Sequence, residues 1–354
     1  HLPNFLAADE CEVVALAEVV AERGGIYASH LRDEGLGLLE SVREAIEIGR
    51  RVALPVQLSH HKAVGKTMWG RVAETLAMVD AARAEGVDVT LDVYPYAATC
   101  TKLTIVFPAW SLAETDEETL VTRLQDPEAR ARIKDGIVFN IVNDRGSGDP
   151  ANIVITGYGA DDSVLGKSLA EVTESRGLAP TPENAAEVLM DLALASEGAG
   201  QAVYHCLSEE DLRTIVASPA AMVASDGHVC GFGAGTVHPR LYGTFARVLA
   251  RLVRDEGTLP LEDAIRKMTS LPAARMGLHD RGLLRPGMAA DIAVFDPEAV
   301  RDHATWENPH QYAEGFAAVI VNGAMTVADD EHLGVRSGIA LRGPAYTRPR
   351  GDSR

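Results

Sequence analysis

Short apolar runs alternate with stretches of helical period through the first third of the chain, and each run ends in polar side chains. The runs cover residues 26–30, 53–60 and 87–95, with helical patterns over 38–50 and 71–85 between them. That order is a βα series. An opening helix is predicted over 10–23, with Val13, Val14, Ala17 and Val20 at core spacing and Gly24-Gly25 as its stop. A further run of the same kind, 221–227, leads through a loop into a helix over 244–256.

Between the third and fourth runs lies a long insertion of acidic helices, with short strands predicted over 137–142 and 152–156. Long insertions in βα loops sit over the active face of a barrel, so a lid or small subdomain is expected. A helix over 261–276 precedes a change to short strands and turns at 284–296 and 319–323, the texture of a small β domain. Residues after Arg342 are rich in Pro, Gly and charge and are expected to be loose. The division is therefore 1–109 barrel βα units, 110–211 insertion subdomain, 212–280 last barrel strand and helices, and 281–354 small β domain and tail.

Length agrees, since 354 residues suit a large α/β barrel with an appendage. Hydrophobic residues at 46% and charged residues at 24% indicate a folded globular chain rather than a disordered or fibrous one. A net charge of -18 repels phosphate backbones, and no basic stretch offsets it, so nucleic acid is not expected as a partner. An anionic substrate then needs a local cationic site. Cys11, Cys100, Cys206 and Cys230 are scattered without a Cys-x-x-Cys pair, which signals neither a disulfide framework nor a cysteine zinc site and fits a reducing cytoplasm. No apolar run approaches the length of a membrane span, so no membrane partner is expected.

His30 in Ser-His-Leu-Arg, His60 in Ser-His-His-Lys and Asp226 in Ser-Asp-Gly each close an apolar run. In a parallel barrel the C-terminal strand ends converge on one face, which would bring two imidazoles and a carboxylate together. Such a cluster suits a divalent metal that activates water, with the carboxylate removing the proton and delivering it to a leaving nitrogen. Hydrolysis of a C–N bond is the natural reaction class. One such histidine alone would read as an ordinary polar strand end. Three equivalent positions favour a site, while spacing by itself leaves a metal-free acid/base arrangement open.

Several longer motifs carry a resemblance. Gly24-Gly25-Ile26-Tyr27-Ala28-Ser29-His30-Leu31-Arg32-Asp33-Glu34, Ser59-His60-His61-Lys62, Asp92-Val93-Tyr94-Pro95-Tyr96, Ser225-Asp226-Gly227 and His238-Pro239-Arg240-Leu241-Tyr242-Gly243-Thr244-Phe245 occur in that order. The set resembles the N-acyl-D-amino-acid deacylases (D-aminoacylases) of the amidohydrolase superfamily. Arg266 to Arg275, Arg285-Pro286-Gly287 with Ala290-Asp291, and Asn308-Pro309-His310 before Val321-Asn322-Gly323 are similar to the tail of such enzymes. The resemblance covers nearly the whole chain and is weakest in the insertion.

It implies that His30 and His60 are ligands of a tightly held zinc ion (Zn2+), and that Asp226 is the general base that then acts as general acid. It also implies that Lys62, Tyr94 and Arg240 hold the free carboxylate of a small-molecule N-acyl-D-amino acid. These side chains suit a carboxylate, since Arg offers a planar fork of donors, Lys a point charge and Tyr a directed hydroxyl. Salt-bridge roles for Lys62 and Arg240, and simple packing for Tyr94, stand beside that reading with equal weight. His61, pointing away from His60 along a strand, reads as packing, and His205-Cys206 lacks a partner at ligand spacing.

Deacylases of this kind also carry a His-x-His pair on the first barrel strand and a zinc-ligating cysteine, both upstream of the matched region and absent from this sequence. Four barrel strands are counted where eight are needed. The expectation is an α/β fold comprising the C-terminal half of a metal-dependent-hydrolase (β/α)8 TIM-type barrel, an α/β insertion and part of a small β domain. His1 in place of Met adds the expectation that residues precede this chain, which would then be incomplete for activity. A degenerate relative without a metal site is the alternative. In function, the alternatives are a cyclic-amide hydrolase of the dihydroorotase or hydantoinase type, and a non-catalytic protein that kept the carboxylate pocket. The former usually bridges two metals with a carboxylated lysine, and no lysine occupies a comparable strand end upstream here.

Overall fold

The computed structural model describes residues 17–113, 115 and 119–343, and among these the strands form three sheets. Cys11 and most of the helix expected over 10–23 lie outside the described residues. Residues 17–21 are helical, and Ala17 packs with Ile48 and Leu54.

The first sheet is parallel, in the order β1 (Tyr27–Ser29), β2 (Val56–Leu58), β3 (Val89–Val93), β7 (Ala221–Val223). All of β2 and β7 is buried, as expected for strands covered on both faces. Helix α1 (Leu38–Val52) follows β1 and buries Leu38, Val42, Ala45, Ile46 and Gly49, one stripe at helical spacing. It ends where Ala53 adopts a left-handed conformation (φ 51°). Gly49 lets this helix approach the sheet, because a Cβ there would lie 2.2 Å from Val56 Cγ2. Helix α2 (Val72–Ala84) covers the next crossover through Val72, Leu76 and Val79.

The second sheet belongs to the insertion and is antiparallel, with β6 (Gln201–Tyr204) between β4 (Thr99–Lys102) and β5 (Ile153–Gly157). It begins at Thr99, before the boundary expected at 110. Cys100 and Val154 both face Val203 in the ladder, whereas Ile153, Ile155, Ala202 and Tyr204 enter the insertion's own core. The strand expected over 137–142 is instead the last part of helix α3 (Pro127–Asn143). Asp126 caps it by accepting from Ala129 N at 2.7 Å, Pro127 takes the first turn, and Ile133, Ile137 and Ile141 bury at intervals of four. The apolar run there is a helix stripe, not a strand. Helices α4 (Pro182–Ala195) and α5 (Glu209–Ala217) return the chain to the parallel sheet.

Helix α6 (Arg240–Arg247) continues as a π-helical turn over Val248–Asp255. The helix expected over 261–276 is broken at Thr269 (φ -133°, ψ -84°) into α7 (Leu261–Met268) and α8 (Ser270–Arg275), and Pro272 in the second piece has no N–H to continue the ladder. The third sheet is antiparallel, ordered β11 (Glu331–His332), β10 (Ala324–Ala328), β9 (Phe316–Val321), β8 (Ile292–Phe295). Asn322-Gly323, both at positive φ, make the tight turn between β9 and β10. No helix among the described residues is long and apolar enough to cross a membrane.

Candidate active site

Because β1, β2, β3 and β7 run parallel, the residues that leave their C-terminal ends share one edge of the sheet: His30, His60, Tyr94 and Asp226. His60 (φ 39°) and Asp226 (φ 47°) both take left-handed backbone conformations just past their strands, a strain that persists only where neighbours impose it. For His60 the restraint is visible. Its N–H donates to Asp92 Oδ1 at 2.7 Å, and Asp92 Oδ2 accepts from Gln57 Nε2 at 2.5 Å.

His30 Nδ1 and His60 Nε2 face each other at 2.8 Å. Glu34, four residues past His30 and buried, lies with Oε1 3.1 Å from His60 Nδ1; the same oxygen accepts from Lys62 Nζ, and Oε2 accepts from Arg145 Nη2 at 3.2 Å. Lys62 Nζ is also 2.8 Å from His60 Nδ1. Burial alone would raise the Glu34 carboxyl, but Lys62, His60 and Arg145 together hold it well below the usual carboxylate range. Burial lowers the Lys62 ammonium and the His30 imidazole, each against the pull of Glu34. In the sequence Glu34 is only the last residue of a longer motif, and Arg145 lies in the insertion; neither stands out there as a site residue.

Asp226 and Arg240 form an ion pair at 2.9 Å. Arg240, at the start of α6, is buried and leaves its Nε without a partner. Its guanidinium lies 4.8 Å from the centre of the Tyr94 ring, and Lys62 Nζ lies 5.7 Å from the same ring. Tyr94 thus collects both cations, and burial pushes its phenol well above the usual range, so it stays protonated. His61 is buried with Nε2 2.8 Å from Thr75 Oγ1, and burial lowers its imidazole to about 4. Cys206 is also buried.

Among the described residues, His30, Glu34 and His60 form the group able to hold a metal, with ligand atoms within 4.8 Å of one another; Asp226 stands outside it. The donor set fits zinc through His30 Nδ1 and His60 Nε2. Glu34 fits better as the carboxylate that orients His60 through Nδ1–H, since its oxygens are already engaged by Lys62 and Arg145. That tautomer leaves the Nε2 lone pair for a metal. In the opposite tautomer His60 Nδ1 accepts from Lys62, and Nε2–H donates to His30.

The model of the Amidohydrolase family matches residues 187–327, a stretch that includes Asp226 and Arg240. The D-aminoacylase of Alcaligenes xylosoxydans xylosoxydans is 35% identical over 330 residues, covering 93% of this chain and 57% of the relative. The N-acyl-D-glutamate deacylase of the same organism is 36% identical over 317 residues, covering 89% and 54%. The solved N-acyl-D-glutamate deacylase of Bordetella bronchiseptica, complexed with zinc and a phosphonate inhibitor, has a TM-score of 0.70 at 33% identity, covering 90% of this chain and 56% of that one. The chain is thus similar to the N-acyl-D-amino-acid deacylases of the amidohydrolase superfamily, and it spans about half the length of the curated relatives it matches.

Proposed function

We propose that the protein hydrolyses the amide bond of N-acyl-D-amino acids, with His30 and His60 as zinc ligands, Asp226 as the proton carrier and Arg240, Lys62 and Tyr94 as the carboxylate site. The observation that carries the reading is the convergence of Arg240 and Lys62 on the buried Tyr94 ring, next to Asp226. In a chain of net charge -18, two buried cations, each paired with one carboxylate, thus flank a single phenol beside Asp226.

A zinc ion bound there would polarise the amide carbonyl and make water acidic enough to attack near neutral pH. Asp226 takes the proton of the attacking water and passes it to the nitrogen that leaves as the D-amino acid. Arg240 holds Asp226 in place through their ion pair, and its buried Nε, which has no partner, is a donor that a bound carboxylate would engage. Tyr94 contributes a protonated hydroxyl, and Lys62 adds positive potential while it holds Glu34 against His60.

The test is acetate release from N-acetyl-D-methionine by the zinc-loaded protein, with N-acetyl-L-methionine and dihydroorotate as comparison substrates. Selective turnover of the D-enantiomer is expected. Turnover of dihydroorotate instead would favour a cyclic-amide hydrolase, and binding without turnover of any of the three would favour a non-catalytic carboxylate-binding protein.

A further inference from the structure

The face of the insertion's sheet that carries Val154, Thr156 and Val203 walls an open cavity of about 420 Å3, flanked by Val237 and by Trp306 of the C-terminal segment. This volume accommodates a small organic group. The cavity adjoins the Arg240 end of the site. Val237 precedes His238, whose Nδ1 accepts the backbone N–H of Arg240 at 3.0 Å and whose ring packs 4.6 Å from Trp306. Cys100, opposite Val203 in the ladder, lies within the electrostatic reach of both Arg240 and Asp226. Neither His30 nor His60 lines the cavity.

We propose that this cavity receives the side chain of the N-acyl-D-amino acid, and that the side chain it takes is large and neutral. The inference rests on the carboxylate reading of Arg240. In such a substrate the carboxylate and the side chain leave the same carbon, whereas the acyl group lies across the scissile bond. A cavity beside the carboxylate site and away from the two histidines therefore takes the side chain.

Its chemistry excludes an acidic one. Val154, Val203, Val237 and Trp306 supply apolar surface, and no Lys or Arg is among the lining residues. The one carboxylate there, Glu307, is exposed, and burial lowers the His205 imidazole so that it lines the cavity uncharged. The buried Thr156 hydroxyl, beside the Cys100 thiol, and Thr236 add uncharged polar groups to the wall. A second carboxylate brought into this space would lose part of its water and gain no cation from the lining residues.

The test is calorimetric binding of N-acetylglycine, N-acetyl-D-phenylalanine and N-acetyl-D-glutamate to the zinc-loaded chain. N-acetylglycine has the carboxylate and no side chain, so it reads the carboxylate site alone. Phenylalanine should bind about 10- to 100-fold more tightly than glycine, the gain from burying one aromatic side chain, and glutamate no more tightly than glycine. Val154 is partly exposed, and Val154→Phe should fill the cavity and remove the phenylalanine advantage while leaving N-acetylglycine affinity unchanged. If that variant loses N-acetylglycine as well, Trp306→Ala replaces it and should reduce the same advantage. Equal affinity for phenylalanine and glycine, tightest binding of glutamate, or an advantage that survives both variants would overturn the assignment. Failure of N-acetylglycine to bind the unaltered chain would instead overturn the carboxylate reading, and this assignment with it.

Discussion

Glu34 Oε1 lies 3.1 Å from His60 Nδ1, a carboxylate behind the imidazole whose other nitrogen faces His30. With His60 as the proposed zinc ligand, the arrangement gives Glu34 the role of orienting it. Glu34→Gln should weaken zinc binding by about 10- to 100-fold, measured by competition with a chelator. Because Lys62 and Arg145 would remain buried without their counter-charge, it should also lower stability by about 3–5 kcal/mol. Unchanged zinc affinity would assign the Glu34 cluster to structure alone.

Asp144 offers a readable pH dependence. Burial pushes its carboxyl up to about 6, and its Oδ1 is buried without a partner. A carboxyl raised above its ordinary value makes the folded state bind more protons between about pH 4 and 6, so the contribution of Asp144 to stability falls as pH rises through that window. Asp144→Asn should match the unaltered protein near pH 4 and exceed it by roughly 3 kcal/mol above pH 6, read from denaturant midpoints. His61, lowered to about 4 by burial, titrates in the opposite sense and offsets part of the effect, so the difference between variant and parent is the quantity to follow. A constant difference across pH would show that Asp144 is ionised throughout.

Arg240 pairs with Asp226 and, in the proposed function, also holds the substrate carboxylate. Arg240→Ala should lower kcat/KM for N-acyl-D-amino acids by about two to three orders of magnitude, the size expected for losing a charge-assisted bond of roughly 3–4 kcal/mol. Its pairing with Asp226 adds that kcat should fall too, in part even for an amide analogue lacking the carboxylate. Equal losses on the two substrates would confine Arg240 to support of Asp226, leaving carboxylate recognition to Lys62 and Tyr94.

The parallel strands are legible in the sequence because buried strands read as apolar runs, and their ends are legible because His30, His60 and Asp226 interrupt those runs with polar groups. Residues 137–142 mislead because an apolar pair every fourth residue resembles a strand in a six-residue window; the stripe from Ile133 through Ile141 needs the longer window of α3. Arg145 is not legible, because its partner Glu34 is 111 residues away in sequence and the pairing exists only once the insertion has folded onto the barrel. His205 lacks any ligand spacing, and its place at the cavity wall comes from strand register and from Trp306 in another part of the chain.

Asp226→Asn tests the central claim most directly, with bound zinc and turnover of N-acetyl-D-methionine measured on the same zinc-loaded preparation. Asp226 stands outside the His30, Glu34 and His60 group, so the variant should keep its zinc, and it should lose turnover by at least about 100-fold because the amide cannot carry the proton. Near-normal turnover with zinc retained would contradict the account, since the proton would then travel by a route that does not involve Asp226.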